Sequence, residues 1–297
     1  MSTSAKRLTH LLASPGIAVM PCCFDALSAR LIENAGFPLT FMSGFAVSAA
    51  RLGVPDTGLI SYGEMIDQGR NICQATSLPV IGDGDTGYGN ALNVKRTVKG
   101  FAAAGFAAIM IEDQRSPKRC GHTPGKRVVG FEESVLRIKA ACDARDELRQ
   151  SGTGDILIMA RTDARAGHGF DEAMARIKAF RKVGADILFL EAPQTEAEMR
   201  AFCDGVDGPK MANMVEQGET PVLSPTALAA MGYSIAAYPL TLMLAAIKAM
   251  EQALDELNAG WHPRNLSDFS HLREVVGFPD YYAAEEAYAG VELDDET

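Results

Sequence analysis

The sequence comprises 297 residues, 47% of them hydrophobic and 22% charged, a globular balance whose length accommodates one large domain or two small ones. A net charge of −10 and a pI near 5.1 argue against a nucleic-acid or anionic-membrane surface, although clustered Arg and Lys could still receive a small anion in a pocket. No run of roughly 18 apolar residues marks a membrane span, Met1 to Pro15 lacks a signal-peptide core, and six scattered cysteines without CxxC spacing read as reduced thiols of a cytoplasmic protein.

In chain order, strand-like apolar runs alternate with helical patterns. The run Gly16 to Cys22 precedes a helix from Asp25, a plausible N-cap, to Ala35, with Gly36 as its stop. Leu39 to Ser43 is the second strand, and Gly44 to Ile60 reads as a loop. A helix over 62–75 capped by Ser61 leads to strand 78–83, helix 91–104 and strand 107–112. A long loop through Gly130 precedes helix 132–149, strand 155–161, helix 170–183, strand 186–191, helix 196–203 and strand 210–213. A short helix at 225–231, strand 234–238 and a helix over about 240–259 complete the pattern.

Eight strand–helix pairs predict a parallel sheet, closed as a (β/α)8 TIM barrel over about residues 15–260 and followed by a helical tail over about 261–297. An open doubly wound sheet is the competing arrangement. Ser43, Asp83, Glu112, Arg161, Glu191 and Asn213 each fall at the C-terminal end of an expected strand, and only a closed barrel gathers all six on one face.

Asp83, Asp85 and Glu112 supply hard oxygen ligands that suit Mg²⁺, or Mn²⁺ in its place, better than Zn²⁺. An acidic loop that merely caps helix 91–104 is the bland alternative. Asp83 and Asp85, two apart, are expected to share a side of the strand end. In Lys118-Arg-Cys-Gly-His122 the thiol of Cys120 lies among cations, an arrangement expected to draw its pKa toward neutrality and fit it for proton transfer. A nucleophilic thiol with His122 as base is the rival, and an incidental Cys in a basic loop is the uneventful reading. Arg161 could pair with a substrate carboxylate or simply with Glu191.

These pieces resemble the isocitrate lyase/phosphoenolpyruvate mutase superfamily over essentially residues 15–260. The matching motifs are Ser43-Gly44, Pro55-Asp56, Asp83-Gly-Asp-Thr-Gly87, Ile111-Glu-Asp-Gln114, Lys118-Arg-Cys-Gly-His122, Ala160-Arg-Thr-Asp163, Glu191, Asn213 and Tyr238-Pro-Leu240. The KRCGH run points to the lyase branch. The resemblance implies Mg²⁺ held by Asp85, Asp83 and Glu112, with Asp56 beside it. It further implies a 2-hydroxycarboxylate gripped at Ser43 and Gly44, near Phe45 and Gly121. C2–C3 cleavage would yield an α-keto acid and an enediolate that Cys120 protonates. Lys118 and His122 set the charge around that thiol, Arg161 stabilises the oxyanion, Glu191 and Asn213 position the far carboxylate, and the loop around 115–130 closes over the site. The family also implies a homotetramer in which the eighth barrel helix is exchanged between subunits.

Departures narrow the substrate. Methylisocitrate lyases carry a Tyr where this chain has Phe41, small residues where it has Phe45, and Arg where it has Thr123. The family's oxaloacetate hydrolases carry a Ser at the position of Pro239. These differences favour a 2- or 3-alkylmalate over a tricarboxylate. Oxaloacetate decarboxylation, which needs no acid at Cys120, is the enzymatic alternative, and a barrel that only binds carboxylates is the non-enzymatic one.

Overall fold

The computed structural model describes residues 3–120 and 125–289. The chain divides into two units, Met1–Leu244 and Ala245–Thr297. The division falls within a helix.

In the first unit, the described residues form eight parallel strands: β1 Ala18–Cys23, β2 Thr40–Met42, β3 Val80–Asp83, β4 Ala108–Glu112, β5 Leu157–Thr162, β6 Ile187–Leu190, β7 Met211–Asn213 and β8 Ile235–Tyr238. The hydrogen-bonded order is β6-β5-β4-β3-β2-β1-β8-β7. A parallel bridge between Leu188 and Lys210 joins the two ends of that series, so the sheet rolls into a nearly closed (β/α)8 barrel.

The helices are α1 Thr3–Ala13, α2 Ala26–Asn34, α3 Gly44–Val47, α4 Tyr62–Ala75, α5 Ala91–Ala104, α6 Phe131–Ser151, α7 Ala164–His168, α8 Phe170–Lys182, α9 Glu196–Gly205, α10 Pro225–Met231 and α11 Thr241–Asn258. Helix α11 runs into the second unit, which also contains α12 Phe269–Val275 and α13 Phe278–Tyr288. No helix among the described residues is long and apolar enough to cross a membrane.

Local signals account for most helix starts. Asp25, Ser61 and Asn90 form capping boxes with Ser28, Glu64 and Asn93, each satisfying N–H groups that a helix start leaves unpaired. One expectation fails. The Gly44–Ile60 segment is not a plain loop: Ser43 caps α3, whose path continues through a π-helical turn, Ser48–Leu52, closed by left-handed Gly53. The Ala-rich run Ala46–Ala50 supports helix there despite the flanking turn residues. The strand β3 stops at Asp83, as expected, and Asp85 follows in a left-handed turn (φ 48°).

The two-residue period of the strands sorts the core into layers. Met20, Cys22, Phe41, Ile81, Met110, Leu157, Met159, Ile187, Phe189, Met211, Ile235 and Ala237 pack inside the barrel. Leu8 of α1 joins this interior cluster, with Leu11 and Leu12 packed against it. Alternate residues such as Met42, Val80, Ile109, Ile111, Ile158, Leu188 and Ala212 face outward into the helix-side core. Continuing the inward parity past the last apolar layer lands on Ser43, Asp83, Glu112, Arg161, Glu191, Asn213 and Pro239.

Close packing of β3 needs a glycine. A Cβ on Gly82 would stand 2.7 Å from ring carbons of both Phe101 and Phe106, which stack with centroids 4.7 Å apart. Gly82→Ala should therefore destabilise the barrel by about 1–3 kcal/mol through overpacking, seen as a lower urea midpoint with an unchanged m-value.

Candidate active site

The barrel's C-terminal mouth opens into a cavity of about 230 Å³. Ser43, Phe45, Asp56, Asp83, Lys118, Cys120, Arg161, Glu191, Asn213 and Pro239 all line it. Between these polar groups lie Phe41, Met110, Phe189, Met211, Val215, Ala237 and Leu240, which make the wall largely apolar. Asp85 and Glu112 lie beside this lining, buried and bonded to residues that belong to it. Gly121 and His122 fall outside the described residues.

Lys118 ties the loop after β4 to the barrel. Its Nζ stands 2.6 Å from Asp56 Oδ1 and 2.8 Å from Asp85 Oδ1, and all three side chains are about 95% buried. Burial alone would lower the ammonium's pKa, but Asp85, Asp83, Asp56 and Glu112 outweigh it and hold the group well above its usual value. Asp83 is fixed by backbone: Oδ1 accepts from the Asp85 N–H (3.0 Å) and Oδ2 from the Gly44 N–H (3.1 Å). Any Cβ at residue 44 would meet Asp83 Oδ2 at 2.5 Å, so the glycine makes room for the carboxylate.

Arg161 is the second buried cation. Asp163 grips it in a fork, Nε to Oδ2 at 2.8 Å and Nη2 to Oδ1 at 2.9 Å. Glu112 Oε2 lies 3.3 Å from Nε, Glu191 Oε2 lies 3.2 Å from Nη2, and the guanidinium sits 5.3 Å above the Phe189 ring. Asn213 donates to Glu191 at 3.3 Å. The pairing of Arg161 with Glu191, left open by the sequence, is therefore present, and the guanidinium still borders the cavity.

Whether the acids suit a divalent cation can be tested on their surroundings. Asp56, Asp83, Asp85, Glu112, Asp163 and Glu191 cluster around two buried cations, Lys118 and Arg161. Burial pushes the carboxyls of Asp83, Asp56 and Glu112 upward, and neighbouring acids add to the shift. Glu112 Oε1 is buried with no hydrogen-bond partner. An under-neutralised acidic pocket with an unsatisfied oxygen fits a hard dication. Among the described residues no three His, Cys, Asp or Glu side chains already form a metal cage. Mg²⁺ does not require one, since it commonly takes one or two carboxylates, waters and the substrate's own oxygens.

Residues 8–258 match the family model described as phosphoenolpyruvate phosphomutase. A 2,3-dimethylmalate lyase from Eubacterium barkeri is 42% identical over 294 residues, covering 97% of this chain and 99% of that protein.

The chain belongs to the phosphoenolpyruvate mutase/isocitrate lyase superfamily.

Within the superfamily, a solved 2,3-dimethylmalate lyase superposes with a TM-score of 0.91 at 35% identity, covering 100% of this chain and 99% of the other. A solved oxaloacetate acetylhydrolase bound to 3,3-difluorooxalacetate gives 0.93 at 32% identity, covering 98% and 99%. The chain is thus a carbon–carbon lyase of this superfamily.

Several residues of this superfamily site escaped the sequence reading. Asp163 holds Arg161, and Asp113 in turn holds the Asp163 segment: its Oδ1 accepts from the Asp163 N–H at 2.9 Å, and its Oδ2 accepts from Thr162 Oγ1 at 2.6 Å and Arg176 Nη1 at 3.0 Å. The signal was present in the Asp of Arg-Thr-Asp and the acid after Glu112, but an acid's partners in another turn of the barrel are invisible along the chain. Cys22 is a core residue that also lines the cavity.

The thiols divide by environment. Burial drives Cys22 well above the usual range, Cys23, Cys73 and Cys142 up to about 12, and Cys203 up to about 11. Cys120 is half-buried and borders the cavity. Brief iodoacetamide treatment of the native protein at pH 8 should therefore label Cys120 ahead of the other five, as peptide mass spectrometry would show.

Proposed function

We propose that this lyase cleaves a 2-hydroxydicarboxylate of the 2,3-dimethylmalate or 2-alkylmalate type, with the related 2-methylisocitrate as the larger candidate, to an α-keto acid and a carboxylic acid. One observation carries the reading. The loop residues Lys118 and Cys120 share a single apolar-walled cavity with the strand-end residues Asp83, Arg161, Glu191 and Asn213.

Each group has work suited to its place. Ser43 and the Gly44 backbone receive the 2-hydroxycarboxylate end, while Glu191 and Asn213 orient the far carboxylate beside Arg161. Asp83, Asp85 and Glu112 would hold Mg²⁺, or Mn²⁺, with Asp56 adjacent. The bound ion supplies Lewis-acid polarisation of the substrate's oxygens. Cleavage passes the hydroxyl proton to a general base, turns the C2 hydroxyl into the α-keto carbonyl and breaks C2–C3. The electron pair stays with the departing fragment as an enediolate, stabilised by that fragment's own carboxylate and by Arg161. Cys120 then gives this carbon its thiol proton, with Lys118 and His122 tuning the surrounding charge.

The wall of Phe41, Phe45, Met110, Met211, Val215, Pro239 and Leu240 suits alkyl branches rather than a further charged arm. Pro239 offers no side-chain hydroxyl, which favours the lyase over the hydrolase chemistry of the solved acetylhydrolase. The working form in this reading is a cytoplasmic homotetramer that exchanges α11. Leu244, Ile247, Met250, Leu254 and Leu257 form an exposed stripe at helical spacing on that helix.

The test is coupled detection of pyruvate from 2,3-dimethylmalate, 2-methylisocitrate, citramalate and oxaloacetate side by side. An alkylmalate should turn over best, EDTA should abolish turnover, and Mg²⁺ should restore it. Cys120→Ser should lower lyase kcat by about 10²–10⁴-fold, the usual scale for losing a placed proton donor. Retention of oxaloacetate decarboxylation as the dominant activity in that variant would favour the decarboxylase alternative.

A further inference from the structure

The residues that reach the cavity from the loop after β4 are held by a side chain outside it. Gln114 lies two residues past β4 and is 1% exposed. Its Nε2 donates to the Arg119 carbonyl at 2.8 Å, and its Oε1 accepts the Arg119 N–H at 3.0 Å. The carboxamide therefore pairs with both polar groups of one residue's backbone, as a neighbouring strand would. Arg119 is the residue between Lys118 and Cys120.

The base of this contact is itself anchored. Arg137 on α6 donates through Nη1 to the Glu112 carbonyl at 2.8 Å and the Gln114 carbonyl at 2.9 Å. Below the tie, the two arms of the loop meet as a short antiparallel neck. There, Gln114 bridges Val128, the Arg115 N–H donates to the Arg127 carbonyl at 2.8 Å, and the Val129 N–H donates to the Asp113 carbonyl at 2.9 Å. The neck fixes where the loop leaves the barrel. It does not by itself fix residues 118–120, which lie beyond it.

We propose that Gln114 is a positioning residue for the lyase reaction, setting the place of Cys120 and Lys118 over the cavity through the Arg119 backbone. The inference rests on the reading of Cys120 as proton donor and Lys118 as its neighbour. Among uncharged side chains of this reach, only a carboxamide offers a donor and an acceptor in one plane. A glutamate of the same shape keeps the acceptor for the Arg119 N–H but turns a carboxylate oxygen toward the Arg119 carbonyl. An alanine removes both bonds.

The test compares Gln114→Ala and Gln114→Glu with wild type in the full chain, using two readouts. The first, made without substrate, is the iodoacetamide labelling rate of Cys120. Loosening the loop should raise it by roughly tenfold in Q114A, the population change that losing two buried hydrogen bonds permits, and by less in Q114E. The second is kinetics on the best substrate of the panel. There kcat should fall by about 10²-fold in Q114A, the scale of a roughly 1 Å misplacement of a reacting group, with KM nearly unchanged and unfolding midpoints close to wild type.

Labelling and kcat both at wild-type values would overturn the proposal, as would a loss of kcat with wild-type labelling. If Q114A does not fold, Q114E decides on the same two criteria, since it preserves side-chain volume and one bond. Should wild type cleave nothing in the panel, the activity reading fails separately, and the labelling rates still decide whether Gln114 holds Cys120 in place.

Discussion

The buried contact of Lys118 with Asp56 and Asp85 joins the catalytic loop to the barrel. Three charged side chains leave water together, and that desolvation is repaid only while all three stay in register. Removing one member of such a group leaves an uncompensated charge inside, at a typical cost of about 3–5 kcal/mol. The same contact brings a cation into a pocket otherwise dominated by carboxylates. The loop's position and the pocket's electrostatics are thus one arrangement.

A second constraint is the parity of the strands. Alternate residues of each strand fill the barrel interior, and the last inward position on most strands is polar rather than apolar. The apolar layers below, together with Leu8 of α1, exclude water from beneath the site. A low-dielectric floor strengthens every charge interaction above it. It also makes a buried polar group without a partner costly. That cost explains the nested supports, in which Arg176 meets Asp113, Asp113 holds the Asp163 segment, and Asp163 grips Arg161. Precision at the guanidinium is built from groups that never border the cavity.

Membership of the phosphoenolpyruvate mutase/isocitrate lyase superfamily gives this arrangement a chemical context. The same barrel serves lyases, a mutase and hydrolases among the solved relatives. In this chain the mouth carries a thiol on the loop and a cavity wall of aromatic, Met and branched side chains that includes Pro239. In the proposed reaction the first would supply a proton to a carbon centre, and the second would accept hydrocarbon.

Much of the barrel was legible along the chain, because strand alternation, capping boxes and the polar residue ending each apolar run are local features. Asp25, Ser61 and the run ending in Glu112 are cases where neighbours a few residues apart carry the whole signal. The Gly44–Ile60 segment was misread because Gly and Pro at its edges outweighed the helix-forming Ala run within it. Asp85 comes beside Asp83 through a left-handed turn rather than by strand continuation, a conformation that no local pattern announces. The barrel could therefore be read from sequence, and so could the strand-end residues that line its mouth, such as Ser43, Asp83, Arg161, Glu191 and Asn213. Which partner each one takes was decided only by closure of the sheet: Lys118 with Asp56 and Asp85, Arg161 with Asp163, Gln114 with the Arg119 backbone. Those pairings depend on distances between separate turns of the barrel, and such distances exist only once the strands have rolled together and water has been driven out.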